Sequence, residues 1–259
     1  MEPTNHVNIC FFGLNRSLSV TSHSIRKYLL DPLTEQGCQY EIFGAFCEVN
    51  KFTNTRSGEV DLAPELDEGR PFDFSEIKYL DQESIDNLIR WDLVFRYGDL
   101  YEQINDDNQL NIKDSTTKNI FRSMFALKFA FGLIPTELQS SPTIFVRPDL
   151  EILSELDFNF FNSLLSKKPK KIGHTKTDGI AIVPNWHSWE GVNDRFAICS
   201  AGNASSSYAN RFDSLLSYIE LSKHPLHPET YLYQVLHASR VEILPVISTK
   251  MARVRADGR

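Results

Sequence analysis

Apolar positions along the chain follow two periods. Val7-Asn8-Ile9-Cys10-Phe11-Phe12 is a near-continuous apolar run that stops at Gly13, as expected for a strand buried on both faces of a parallel sheet. Tyr40-Glu41-Ile42-Phe43-Gly44-Ala45-Phe46-Cys47 reads as a second strand, and 142–146, 179–183 and 196–200 as three more. Between them the spacing becomes helical, over 21–33, 82–97, 116–133, 156–165, 204–221 and 228–239. The 116–133 segment is the clearest. Ile120, Met124, Leu127, Phe131 and Ile134 form one stripe, Phe121, Phe125 and Phe129 widen it, and Pro135 ends it. Segments 241–244 and 251–255 read as closing strands or extended tails. The polar stretch 51–76 reads as a surface loop, either a lid or an idle insertion. The stretch 99–115, with Asn105-Asp106-Asp107-Asn108, reads as a solvated turn despite its adjacent acids. Strands alternating with helices, with no repeat and no linker, predict one mixed α/β domain.

Composition narrows this picture. With 259 residues, 41% hydrophobic and 24% charged, the chain can bury a core without metal or disulfide staples. A net charge of -7 gives a field that repels nucleic acid, so none is expected as a partner. Lys167-Lys168-Pro169-Lys170-Lys171 is either a solvated face or a local attractor for an anion. Cys10, Cys38, Cys47 and Cys199 form no C-x-x-C pair and read as free thiols in a reducing compartment. The first residues lack the features of a signal peptide, and no apolar stretch approaches the ~18 residues that a membrane span needs. The expectation is a cytoplasmic chain. Peripheral association with the inner face of a membrane and the oligomeric state are left open.

The chemistry concentrates in two islands. The first, Thr143-Ile144-Phe145-Val146-Arg147-Pro148-Asp149-Leu150, ends a buried strand at Pro148. That leaves Asp149 at a strand's carboxyl end, where ligand-binding residues of α/β sheets collect. The second island holds Trp186, His187, Trp189 and Glu190, then Asn193-Asp194-Arg195 before the next strand. The two tryptophans either stack on sugar rings or tuck into the core, and both readings stay open. At the N-terminus, Gly13-Leu14-Asn15-Arg16-Ser17 joins a strand to a helix. Gly13, Asn15 and Arg16 are candidates for holding a phosphate at the helix start; alternatively Gly13 only turns the chain and Arg16 is solvated. His174, His187, His224, His227 and His237 are too dispersed for a zinc site. No G-x-S-x-G, P-loop or G-x-G-x-x-G occurs.

Glycosyl transfer needs a nucleotide support, positive charge on the departing diphosphate and, if the anomeric centre inverts, a carboxylate near the acceptor hydroxyl. The chain has a candidate for each: Gly13 to Arg16 as support, Asp149 holding a cation or Arg147 acting directly, and Asp194 near the acceptor. Val7 to Ser17, Phe145-Val146-Arg147-Pro148-Asp149-Leu150 and above all Gly191-Val192-Asn193-Asp194-Arg195-Phe196-Ala197 resemble polysaccharide-type glycosyltransferases of bacteria and some large viruses. Glu229-Thr230-Tyr231-Leu232 and Arg253-Val254-Arg255-Ala256-Asp257-Gly258 are similar to that family's C-terminal pattern.

The resemblance implies a GT-A-like fold, a Rossmann-type mixed sheet flanked by helices, with a nucleotide-binding half (1–150) merged with an acceptor-binding half (151–259). It implies transfer of one sugar from a nucleotide donor to a glycan or lipid-linked glycan in surface-polysaccharide synthesis. Catalytic roles then fall to Asp194 and Asp149, and donor binding to Gly13, Asn15, Arg16, Arg147 and Asp149. Acceptor binding falls to Trp186, His187, Trp189, Glu190, Asn193 and Arg195. Many GT-A enzymes bind Mn²⁺ or Mg²⁺ through the last Asp of Asp-x-Asp. Here the tripeptide is Arg147-Pro148-Asp149, so the metal at Asp149 stays an open expectation. Competing expectations are a strand-ending salt bridge at Arg147-Pro148-Asp149 and turn capping at Asn193-Asp194-Arg195. For the whole chain they are a non-catalytic glycan-binding or scaffold protein on this fold and a nucleotidyltransferase. The transferase reading expects Asp149→Ala and Asp194→Ala each to abolish transfer with the fold intact.

Overall fold

A computed structural model describes residues 6–15, 17–49, 52–54, 59–62, 71–97, 107–166, 171–172, 175–223 and 226–255. Arg16, His174, His224, the basic run 167–170 and half of the 51–76 loop lie outside the described residues. Seven strands form one sheet: β1 (His6–Leu14), β2 (Gln39–Glu48), β3 (Glu76–Asp81), β4 (Thr143–Val146), β5 (Ile180–Pro184), β6 (Phe196–Cys199) and β7 (Glu242–Ile247). Their order is β3-β2-β1-β4-β6-β5-β7. Only β6 is reversed: it pairs antiparallel with β4 and β5, and every other pairing in the sheet is parallel. This is the expected single α/β domain, a mixed sheet flanked by helices.

Alternation along β1 builds two cores. Val7, Ile9 and Phe11 face one layer, and Cys10 and Phe12 face the other. The first layer is covered by α1 (Leu18–Ile25), which runs through a π-turn (Arg26–Leu30) into α2 (Asp31–Glu35), and by α6 (Phe158–Leu165). The opposite face carries α5 (Asp107–Gly132), α7 (Asn203–Ala209), α8 (Phe212–Ser222) and α9 (Pro228–Ala238). On α5 the buried stripe is Phe121, Met124, Leu127 and Phe131. Phe129, expected on that stripe, is 38% exposed.

Four expectations change. β3 is an edge strand that falls between the expected loop (51–76) and the expected helix (82–97), where no element was expected; Ile77, Tyr79 and Leu80 are its half-buried residues. Helix 82–97 is two short helices, α3 (Gln82–Asp86) and α4 (Trp91–Tyr97). The polar segment expected as a turn over 99–115 is helix from Asp107 onward, because α5 extends more than two turns ahead of its apolar stripe. Helix 204–221 breaks at Asn210 and Arg211. There Arg211, 2% exposed, turns inward, its Nη1 donates to the Tyr208 carbonyl at 2.7 Å, and its guanidinium lies over the Tyr208 ring at 4.5 Å. The tail at 251–255 is a short strand, Met251–Arg253, paired antiparallel with Leu150–Ile152. That ribbon carries the chain's end onto the Arg-Pro-Asp turn.

Candidate active site

The carboxyl ends of β1, β4 and β5, with the start of the reversed β6, bring both islands to one edge of the sheet. The Arg147–Asp149 turn follows β4 directly. Thr21 of α1 donates its hydroxyl to the Pro148 carbonyl at 2.6 Å, and the Val254 amide donates to the Asp149 carbonyl at 2.8 Å. Ser17 donates to the Val254 carbonyl at 3.0 Å, which ties the β1–α1 turn to the same place.

Asp149 is 1% exposed. Its Oδ1 accepts from Arg147 Nε at 2.9 Å, and its Oδ2 accepts from Arg147 Nη2 at 2.8 Å and from Arg253 Nε at 2.9 Å. Two guanidinium groups thus share one buried carboxylate, and their own side chains are 23% and 33% exposed. Burial works against the Arg147 charge, but Asp149, with Asp194 and Tyr208 beyond it, holds that guanidinium above its ordinary value. Nothing in its spacing marks Arg253 as a partner of Asp149, 104 residues away; the ribbon makes the contact.

The second turn is built differently. Asn193, 1% exposed, donates through Nδ2 to the Trp186 carbonyl at 2.9 Å and accepts the Arg195 amide on Oδ1 at 3.0 Å. The capping expectation therefore holds for Asn193 and not for Asp194. The Tyr208 hydroxyl donates to the Asp194 carbonyl at 3.1 Å, and the Arg147 amide donates to the Arg195 carbonyl at 3.2 Å, so the two turns are locked to each other by backbone. Among the described residues no donor bonds the Asp194 carboxylate, which is half-buried and acts on Arg147 and Tyr208 only through space. Burial pushes the Tyr208 phenol up, Arg211 pulls it back and Asp194 adds to the rise, so it stays a neutral donor.

Between Trp186 and Gly191 the chain is strained. His187, Trp189 and Glu190 adopt φ of 50°, 41° and 64°, a region that costs about 1–3 kcal/mol for a side-chain-bearing residue and persists only where the surroundings enforce it. Four anchors do so. Trp186 Nε1 donates to the Thr249 carbonyl at 2.9 Å, and Asn193 holds the Trp186 carbonyl. The Gly191 amide bonds the Ser188 carbonyl at 2.7 Å, and the Val192 amide bonds the Glu229 carbonyl at 3.0 Å. Gly191 sits so close to α9 that a Cβ there would lie 2.2 Å from the Glu229 backbone. The two tryptophans divide the alternatives: Trp186 packs partly into the core, while Trp189 is 60% exposed. His187 lies between them, with ring centroids 5.3 and 5.9 Å away.

Other candidates separate from this cluster. Gly13 belongs to β1, with φ 106° and room for a Cβ only 3.3 Å from Ser123 Oγ; it packs the strand under α5 and is not itself in the turn. Asn15 is buried in the turn.

The expected divalent cation does not fit Asp149 as placed. Mn²⁺ and Mg²⁺ need several oxygen ligands, whereas both Asp149 oxygens accept from guanidinium groups that would repel a dication. Among the described residues no three His, Cys, Asp or Glu side chains gather as metal ligands.

Fold and site together are those of an α/β domain that gathers the Arg147–Asp149 and Asn193–Arg195 turns at the carboxyl ends of its parallel strands. No family model and no curated protein sequence matches the chain. Among solved structures it is similar to mouse xyloside xylosyltransferase 1 in its apo form, at 11% identity and a TM-score of 0.39, over 92% of this chain and 84% of that one. A likeness this distant assigns neither substrate nor residue roles. Among the described residues no helix is long and apolar enough to cross a membrane.

Proposed function

We propose that the chain is a nucleotide-sugar-dependent glycosyltransferase that adds one sugar to a glycan, lipid-linked or free, in surface-polysaccharide synthesis. The observation that carries this reading is the pair of arginines on Asp149 beside an Asp194 carboxylate that no donor among the described residues bonds. In a chain of net charge -7, this cluster supplies the positive charge that a diphosphate leaving group needs. Residues 1–150 hold the nucleotide and 151–259 the acceptor, except that Arg253 reaches back to Asp149 and so to the donor's diphosphate.

In the proposed reaction an acceptor hydroxyl attacks the anomeric carbon, and its proton passes to the Asp194 carboxylate. The bond from that carbon to the diphosphate oxygen breaks, the oxygen keeps the electron pair, and Arg147 and Arg253 meet the charge that develops. Asp149 holds the two guanidinium groups in register and touches neither reactant. If the anomeric configuration is retained, Asp194 orients the acceptor hydroxyl and takes no proton in the first step. Asn15, buried in the turn after β1, lies on the proposed donor side, and Trp186, His187, Trp189 and Glu190 rim the acceptor side.

The enclosure of Asp149 also favours a second reading, a glycan-binding protein on this fold that has lost donor chemistry. Titration with UDP, GDP, CDP and dTDP separates the two. The transferase binds one of them and is stabilised by it through mass action; the glycan-binding protein binds none.

A further inference from the structure

Arg195 is the cation that the proposed reaction leaves without a task. Its side chain turns away from the Asp149 cluster toward the rim, where Nη1 lies 3.4 Å from His187 Nδ1. Because a guanidinium only donates, His187 Nδ1 is the accepting side of that contact. Among the described residues no carboxylate pairs with Arg195. Its neighbour Asp194 is coupled to Arg147, Glu190 on the same loop is exposed and makes no bond to it, and Glu229 is 3.7 Å from His227. The backbone around Arg195 is fixed by Asn193 and by the Arg147 amide, and the neighbouring rim is strained into place. A half-buried, positioned guanidinium, without a carboxylate partner among the described residues, therefore stands beside His187, whose ring lies 5.9 Å from that of the exposed Trp189. An aromatic face binds a sugar ring, and a guanidinium fork binds a carboxylate.

We propose that the acceptor is an acidic glycan, whose carboxylate-bearing sugar stacks on Trp189 while its carboxylate is held by Arg195. This rests on the proposed acceptor side of the site and names the class of sugar that enters it. Arg147 and Arg253 serve the donor, so the two anions of the reaction meet separate arginines.

The test compares methyl glycosides of glucuronic, galacturonic and mannuronic acid with those of glucose, galactose and mannose, by calorimetry or saturation-transfer NMR. Each pair differs only in the carboxylate. At least one acid should bind the wild-type protein about tenfold or more tighter than its neutral partner, the size of a charge-assisted hydrogen bond. Arg195→Gln should erase that preference and leave UDP, GDP, CDP and dTDP binding unchanged. Absence of any acid preference in the wild type overturns the proposal, as does a preference that survives Arg195→Gln. Loss of nucleotide binding in Arg195→Gln, with sugar binding intact, overturns it by placing Arg195 on the diphosphate. If the acid preference is present and removed by Arg195→Gln while no nucleotide binds even the wild type, the acidic-glycan site stands and donor chemistry fails.

Discussion

The turns at Asp149 and Asp194 look alike in sequence, each an acid within two residues of an arginine beside a buried strand, and the fold uses them in opposite ways. Asp149 is 1% exposed and accepts three hydrogen bonds from two arginines. Asp194 is half-buried, its backbone is fixed by Tyr208 and Asn193 supports its turn, yet no donor among the described residues bonds its carboxylate. One acid is an internal counter-ion that organises cations. The other is a carboxylate on a turn held in position by its neighbours, and in the proposed reaction it takes the acceptor's proton. An acid at a strand's carboxyl end is therefore only a place; the partners that reach it decide its role.

Substitutions can break this contrast, starting with the largest effect. Asp194→Asn keeps size and backbone and removes only the basic oxygen. It should lower transfer by about 10²–10⁴-fold, the usual contribution of a general base, with an unchanged melting temperature; full activity by product assay would remove Asp194 from the chemistry. Asp149→Ala should act on stability first. It strands two arginines around a buried void, a change that costs about 3 kcal/mol, read as a drop in denaturant midpoint and not only in activity. This departs from the sequence expectation that both variants leave the fold intact.

Tyr208→Phe keeps the stacking on Phe145, 4.7 Å between centroids, and loses only the bond to the Asp194 carbonyl. The expected stability loss is about 1 kcal/mol, and its Tm shift should be smaller than that of Asp149→Ala. The smallest effect concerns the thiols. All four cysteines are free and buried, and burial raises Cys47 from 9.0 to about 12. Folding therefore favours the neutral thiol. Its contribution to stability is complete below pH about 9 and declines as pH rises toward 12. Native protein at pH 8 should react with a thiol reagent far more slowly than unfolded protein.

Much of the fold was legible because apolar runs in a doubly covered sheet are hard to mistake. β1, β2, β4, β5 and β6 follow directly from such runs. β3 was not, since an edge strand buries half of each residue and its charges resemble loop. The helix break at Arg211 was hidden because helical spacing continues through it, while a buried guanidinium stacked on Tyr208 interrupts the backbone. Within the site, the sequence placed both acids, both arginine neighbours and the aromatic loop at one edge. It could not show that Arg253 returns across 104 residues to Asp149, because that pairing depends on a three-residue ribbon with no periodicity of its own. Nor could it separate Trp186 from Trp189, whose exposures are set by the left-handed turn between them.

The central claim is that arginines, organised by Asp149, hold a nucleoside diphosphate. Calorimetric titration of UDP, GDP, CDP and dTDP in EDTA, repeated with Mn²⁺ and Mg²⁺, tests it most directly. The account predicts that one nucleotide binds in EDTA, that the cations do not strengthen it, and that Arg253→Gln weakens it. Binding that appears only with a cation, or no binding of any nucleotide, would contradict it.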